Sequence, residues 1–342
     1  MLKSLRFWIG LLITFLFLFL FLYRTDFSEM GRALEGANYI FLIPALLVYF
    51  GGVFFRSVRW RYLLKPLGSF SPFRLFPLVV IGFLVNNILP ARLGIIARAY
   101  ILGEREGISK MATGGTMVVE QVFDGLTLLF FVAIIALFGV SLGGVLQNTV
   151  YIVAGLFLGA LALCFIIVSS PRLARRGASL LVHILPQQWR RRTEGWLTRL
   201  IEGMGIMRSP HKLIIVFALS VLVWLSEAGM FYMVAFSFNL GQPFYVLLLA
   251  TSVSNLAWAL LLSPGGLGPF DYFSQQTLTF FGVTGAVATA YVSALHLTLL
   301  LPVTGLGFIF LWLENLSLAK IVPRRERLAE GYDGNAALED KE

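Results

Sequence analysis

The stretch Phe73-Arg-Leu-Phe-Pro-Leu-Val-Val-Ile-Gly-Phe-Leu-Val-Asn-Asn-Ile-Leu-Pro-Ala-Arg-Leu-Gly94 decides how this chain folds. Residues 73–89 are apolar enough to read as a membrane span, but Asn86, Asn87, Pro90 and Gly94 make a poor end for one. Charge sharpens the point. The stretch 56–74 holds Arg56, Arg59, Arg61, Lys65 and Arg74 with no acid, and 92–112 holds Arg92, Arg98, Arg105 and Lys110. Basic loops stay in the cytoplasm. A full crossing by 73–89 would put these two stretches on opposite sides. The reading that avoids this is a segment, 73–94, that enters the membrane, breaks and returns to the same face. Non-helical backbone at that depth is tolerated only where protein or water satisfies it.

Composition supports a membrane setting. Of 342 residues, 58% are hydrophobic, only 13% are charged, and 31 are Phe. The mean hydropathy is +0.83. Soluble chains are about half apolar and about a quarter charged, and a core of this size cannot hide so much apolar surface. Soluble enzyme, nucleic-acid-binding module and disordered scaffold are excluded as readings of the whole chain. The net charge of +9 is not a nucleic-acid signal, because 111–171 and 213–319 contain no Lys or Arg. The basic residues sit in short stretches between apolar runs. The one cysteine, Cys164, excludes an internal disulfide and reads as a buried small hydrophobe.

The fold class is therefore all-α and polytopic, with about eight transmembrane helices and one or two re-entrant or broken segments. The apolar runs are 7–23, 39–55, 73–89, 113–140, 149–169, 213–238, 244–262 and 286–316, with a weaker one at 267–283. The first follows Lys3 and Arg6 and lacks a small-x-small cleavage site, so it reads as an uncleaved span. A crossing by 267–283 would bring Lys320, Arg324, Arg325 and Arg327 to the cytoplasm with the N-terminus; a second re-entrant segment is the other solution. The chain reads as one membrane domain over 1–320, its halves at about 1–140 and 213–320. Between them lies the basic loop 170–212, with nine basic residues against Glu194 and Glu202. Trp189 and Trp196, seven apart, would anchor amphipathic helices of that loop on the membrane surface. The polar tail 321–342 is expected to be disordered.

Two short stretches align without gaps: Ile88-Leu-Pro-Ala-Arg-Leu-Gly94 and Leu262-Ser-Pro-Gly-Gly-Leu-Gly268. Pro90 matches Pro264, and Gly94 matches Gly268. Paired Gly/Pro breaks in two halves point to a transporter's binding site, so Gly265 and Gly266 join the candidates. Carboxylates supply the rest. Glu120 and Asp124 share a helix face and sit near the cytoplasmic end of their span, with Arg92 and Arg98 as the natural counter-charges. Glu227 and Asp271 have no basic residue near them in sequence. They must face water, accept hydrogen bonds, be protonated or pair with arginines of the first half; proton coupling is one role for them. His296 reads as a hydrogen-bonded packing residue, Asn255 as an interhelical donor, and Glu314 as interfacial. His183, His211 and His296 lack zinc spacing, there is no nucleotide-binding loop and no nucleophile elbow, and nothing calls for a cofactor or metal.

The run Asn86 to Arg98, then Ser109, then Val119-Glu-Gln-Val-Phe-Asp124, resembles the membrane region of lysylphosphatidylglycerol synthases and the flippase-like proteins that share it. Ser263-Pro-Gly-Gly-Leu-Gly268 with Asp271 is similar to that region's second signature. The resemblance covers nearly the whole chain. It implies a lipid flippase or transporter of a lipid-linked substrate; the soluble synthase domain is absent, so synthase activity does not carry over. Two departures stand out. The family pattern has an acid at position 95 and a base at position 121; here they are Ile95 and Gln121. The two would form an ion pair in relatives, and losing both avoids a stranded charge.

The leading reading is an inner-membrane transporter of a phospholipid or polyprenyl-phosphate-linked lipid, with both termini cytoplasmic. Arg92 and Arg98 would hold phosphate; Glu120 and Asp124 would orient them or receive a cationic head group. Two other classes stay open: a non-transport membrane partner that binds lipid and docks a lipid-synthesis enzyme, and a membrane-embedded glycosyl- or aminoacyl-transferase.

Overall fold

The computed structural model describes residues 5–89, 93–137, 198–261 and 263–316, together with 148, 151, 152, 155, 158, 159, 162, 195 and 196. Within them the chain is helical, with no strand. Among the described residues, α-helices with defined bounds run in the order α1 Leu5–Leu22, α2 Phe27–Glu35, α3 Leu42–Leu63, α4 Pro72–Ile88, α5 Gly94–Glu106, α6 Lys110–Leu137, α7 Pro210–Ser237, α8 Phe244–Leu261, α9 Pro269–Phe280 and α10 Gly285–Leu313. Short tight turns of helix lie at Tyr39–Phe41, Met204–Arg208 and Pro264–Gly266.

Local chemistry explains the boundaries. Asp26 opens α2 by accepting from the Ser28 and Glu29 amides at 2.9 and 3.0 Å, and so satisfies two orphan donors. Proline stands in the first turn of α4, α7 and α9, where its missing N–H is of no consequence. Gly107 closes α5 in the left-handed conformation at φ 66°.

Five helical stretches are long and apolar enough to cross a membrane: Tyr39–Leu63, Lys110–Leu137, His211–Ser237, Phe244–Leu261 and Gly285–Leu313. Gly10–Leu22 and Phe27–Glu35, bent by 85°, supply a sixth if they are taken as one broken span. The expected eight are not reached within the described residues. The apolar run 149–169 and Cys164 lie largely or wholly outside them, as do Trp189 and the tail 321–342. The weak stretch 267–283 holds the 12-residue α9, about 18 Å at 1.5 Å per residue. That is short of a hydrocarbon core of about 30 Å, so α9 alone lacks the length for the crossing expected of it.

Between helices in lipid, close packing and polar bonds must do what the hydrophobic effect does in water. Small residues allow that approach. A Cβ on Gly52 of α3 would stand 2.9 Å from the Ser226 Cβ of α7, and one on Gly307 of α10 would stand 2.7 Å from the Leu84 Cβ of α4. Trp60, Tyr291 and Phe231 fill the centre, and the Tyr291 hydroxyl donates to the Phe231 carbonyl at 2.8 Å. Large apolar side chains such as Phe15, Phe19, Leu47, Leu137 and Trp312 face outward, as a lipid-facing surface requires.

The loop 170–212 differs from its expected surface location where it is described. Its last part enters the core: Met204, Ile206 and Met207 are buried, and Gly203 lies against Ala112 at the start of α6. Leu200 packs on Gly115 in the same way.

Candidate functional site

Two hairpins position the site. α4 and α5 pack against each other at Gly82 and Gly94, whose backbones meet so closely that a Cβ on Gly94 would overlap the Gly82 carbonyl oxygen. Asn86 secures the return by accepting from the Gly94 amide at 2.8 Å. Asn87 donates to Thr304 of α10 at 2.9 Å. α8 and α9 form the second hairpin through Pro264–Gly266. Gly265, Gly266 and Gly268 have φ of 59°, 82° and 90°, the left-handed region that glycine enters without strain. The two breaks meet: a Cβ on Gly265 would lie 3.5 Å from the Asn87 carbonyl oxygen.

Beside this junction is a cavity of about 270 Å³. Of the residues singled out from sequence, Asn86, Asn87, Arg98, Glu120, Asp124, Glu227 and Gly265 line it. Pro90 and Arg92 lie outside the described residues. Pro264, Gly266, Gly268 and Asp271 shape the second break next to it. Positions 95 and 121, where the family pattern has its acid and base, both line the cavity as Ile95 and Gln121.

The charged residues form one connected ladder. Arg98 donates from both terminal nitrogens to the two Glu120 oxygens, each at 3.1 Å, and its guanidinium lies 4.1 Å from the Trp60 ring centre. Arg59 stands 3.2 Å from Glu120 Oε1, which it shares with Arg98, and donates to Asp124 at 2.5 and 3.2 Å. Arg56 continues to Glu227 at 2.9 Å and lies 3.7 Å from Asp124. Trp224 donates to Asp124 at 2.8 Å, and Asn255 to Glu227 at 2.8 Å. Three guanidinium groups thus alternate with three carboxylates. Burying such ions is tolerable only when each is paired and its remaining atoms are hydrogen-bonded.

Several sequence expectations change here. Glu120 and Asp124 are buried, at 2% and 8% exposure, so pairing rather than hydration stabilises them. Arg56 and Arg59 were expected in a cytoplasmic basic stretch; α3 extends to Leu63 and buries both. Arg98, read as part of a basic loop, is likewise buried on α5. Toward the end of that segment the charges reach the surface, where Arg105 meets Glu314 at 2.6 Å and Lys110 pairs with Glu104. Glu227 finds its partner in the first half of the chain, as one of its alternatives required, and Asn255 bonds across helices as expected.

A second cluster sits on the second break. Asp271 accepts from the Gly268 amide at 2.8 Å and lies 2.5 Å from His296 Nδ1. His296 Nε2 donates to the Gly265 carbonyl at 3.0 Å. His296 is therefore more than a packing residue: it also lines the cavity.

The two helix breaks, the buried Arg98 and its partner Glu120 occupy positions that carried the resemblance. The family model described as the lysylphosphatidylglycerol synthase TM region matches residues 7–307. This chain belongs to that family. Among curated relatives of this member, a UPF0104 membrane protein of Methanothermobacter thermautotrophicus is 27% identical over 307 residues, covering 83% of this chain and 86% of its own. A UPF0104 membrane protein of Methanocaldococcus jannaschii is 33% identical over 126 residues, 36% of this chain and 38% of its own. Glycosyltransferase AglD of Haloferax volcanii is 31% identical over 120 residues, 35% of this chain and 19% of that protein. No solved structure matches the chain. Together the family and the apolar helices make this an integral, multi-pass membrane protein.

Proposed function

We propose that this protein moves a lipid with a phosphate-bearing head group between the leaflets of the inner membrane, its basic ends in the cytoplasm. The observation that carries the reading is Arg98. Its terminal nitrogens are committed to Glu120, yet its buried Nε has no partner among the described residues and its side chain lines the cavity between the two breaks. A buried donor without a partner is destabilising by about 1–3 kcal/mol, and a phosphate oxygen would remove that penalty. Asn86 and Asn87 supply polar groups to the same lining. The carboxylates then hold the arginines in place rather than bind the ligand themselves.

The test is leaflet movement in liposomes. Fluorescent phospholipids and prenyl phosphates are scored by dithionite access, with the wild type beside Arg98→Lys. Lysine keeps the charge but lacks both Nε and the planar fork. Movement by the wild type that falls at least tenfold in Arg98→Lys is expected. Absence of movement for every lipid, with lipid still bound to folded protein, would replace transport by the lipid-binding partner role.

A further inference from the structure

We propose that Asp271 and His296 form a proton-binding site whose occupancy sets the conformation of the second break. The hydrogen-bond inventory leads there. A carbonyl oxygen only accepts, so His296 Nε2 must carry the proton that meets Gly265. A neutral imidazole has one N–H. With Nε2 protonated, the contact between Nδ1 and Asp271 Oδ1 at 2.5 Å needs a second proton between them. In the proposed switch this arrangement is the loaded site, holding that additional proton.

Removing the proton leaves two acceptors facing each other in a buried place, where His296 is 5% and Asp271 3% exposed. The imidazole relieves this by carrying its remaining proton on Nδ1, donating it to Asp271. Nε2 then has no hydrogen for Gly265, and the carbonyl is released. The net change is one proton lost from the pair to solvent through the cavity, with no bond made or broken elsewhere. The released segment is the left-handed Gly265–Gly266 turn, which abuts Asn87 of the first break. Proton loss thus loosens the junction of the two hairpins at the cavity wall.

The surroundings keep the pair the responsive element. Phe270 of α9 lies 4.8 Å from the imidazole ring centre and itself packs on Phe231 of α7. Across the cavity, α3 presents Tyr49 and Arg56, α5 Arg98, α6 Glu120 and Asp124, and α7 Glu227. These five charged side chains are tied into the ladder, with Arg59 bridging Glu120 and Asp124. Among the described residues, α1, α4 and α8 contribute no acidic or basic side chain to the lining. Coupling of this proton to lipid movement rests on the transport reading above; the switch itself does not.

The switch is tested without any lipid substrate, on the full chain in nanodiscs. Cys164 is replaced by Ala, and Leu267→Cys, half-exposed at the break, reports its accessibility to maleimide. Leu137→Cys, 86% exposed on α6, corrects for thiol ionisation. The expected result is that the ratio of the two labelling rates rises at least threefold as pH increases, and that His296→Gln abolishes the rise. A ratio flat with pH in the His296 protein, or unchanged by His296→Gln, overturns the proposal. Should His296→Gln fail to fold, imidazole nitrogen-15 spectra decide it, using protein in which His183 and His211 are Gln. The proton must leave Nε2 and remain on Nδ1 as pH increases. Retention on Nε2 throughout overturns the proposal. Liposome assays with and without a pH gradient then address coupling separately, so a protein that switches but moves no lipid refutes only the transport reading.

Discussion

The backbone of Asn87, at the end of α4, lies against Gly265 in the turn between α8 and α9, with 3.7 Å from a Cβ on Gly265 to the Asn87 Cα. Two helix breaks far apart in sequence are thereby in contact. Each break frees backbone groups from helical bonding. Asn86 satisfies the Gly94 amide in one, and Asp271 satisfies the Gly268 amide in the other. The cavity at this junction is lined by charged residues of the ladder and by His296, which Asp271 contacts from beside it.

The first hairpin depends on the close approach of Gly82 and Gly94. Gly94→Ala places a methyl group in the Gly82 carbonyl, and backbone on both sides cannot yield cheaply. Overpacking of this kind is destabilising by about 1–3 kcal/mol or more. Gly305→Ala in α10, where nothing lies within 4 Å, is the control. Thermal unfolding in detergent should show a clear fall in Tm for Gly94→Ala and little change for Gly305→Ala.

Arg56 and Glu227 provide a second prediction. Arg56→Met leaves Glu227 buried without its guanidinium partner, its carboxylate still accepting from Asn255. Breaking a buried pair from one side is destabilising by about 3–5 kcal/mol, whereas replacing both ions by apolar groups is often neutral. The double variant Arg56→Met/Glu227→Met should therefore melt well above Arg56→Met alone. Additive losses in this double-mutant cycle would contradict the pairing.

At the exposed end of the same region the opposite holds. Arg105 and Glu314 are each 31% exposed at the side chain. Exposed pairs contribute about 0–1 kcal/mol. Arg105→Ala should leave Tm nearly unchanged in 0.15 M salt, although this pair is shorter than several buried ones.

Much of the helical order was legible from apolar runs. The break after Ile88 was legible too, because Asn86, Asn87, Pro90 and Gly94 cluster where a span should continue. Arg56 and Arg59 were misread for a physical reason. Basic residues next to a span ordinarily mark a cytoplasmic loop, and nothing local distinguishes a helix that carries them inward. Charge counting offered a signal: Glu120, Asp124 and Glu227 are too many buried acids for Arg98 alone, and Arg56 and Arg59 are three apart, on one helical face. The partnership of His296 with Asp271 was illegible, since it depends on the turn at Pro264–Gly266 bringing α9 back against α10. The shortness of α9 was hidden because Leu267, Phe281 and Val283 extend the apolar run beyond the helix.

The central claim is that a lipid head group occupies the cavity where the two breaks meet. A phospholipid carrying a photoreactive group near its phosphate, incorporated in nanodiscs with the protein, tests it most directly. After illumination, mass spectrometry maps the attached residues. The account predicts labels at Asn86 to Arg98 and around Gly265, reduced in Arg98→Lys. Labels confined to outward-facing residues such as Leu47, Leu137 and Trp312, and unaffected by Arg98→Lys, would contradict it.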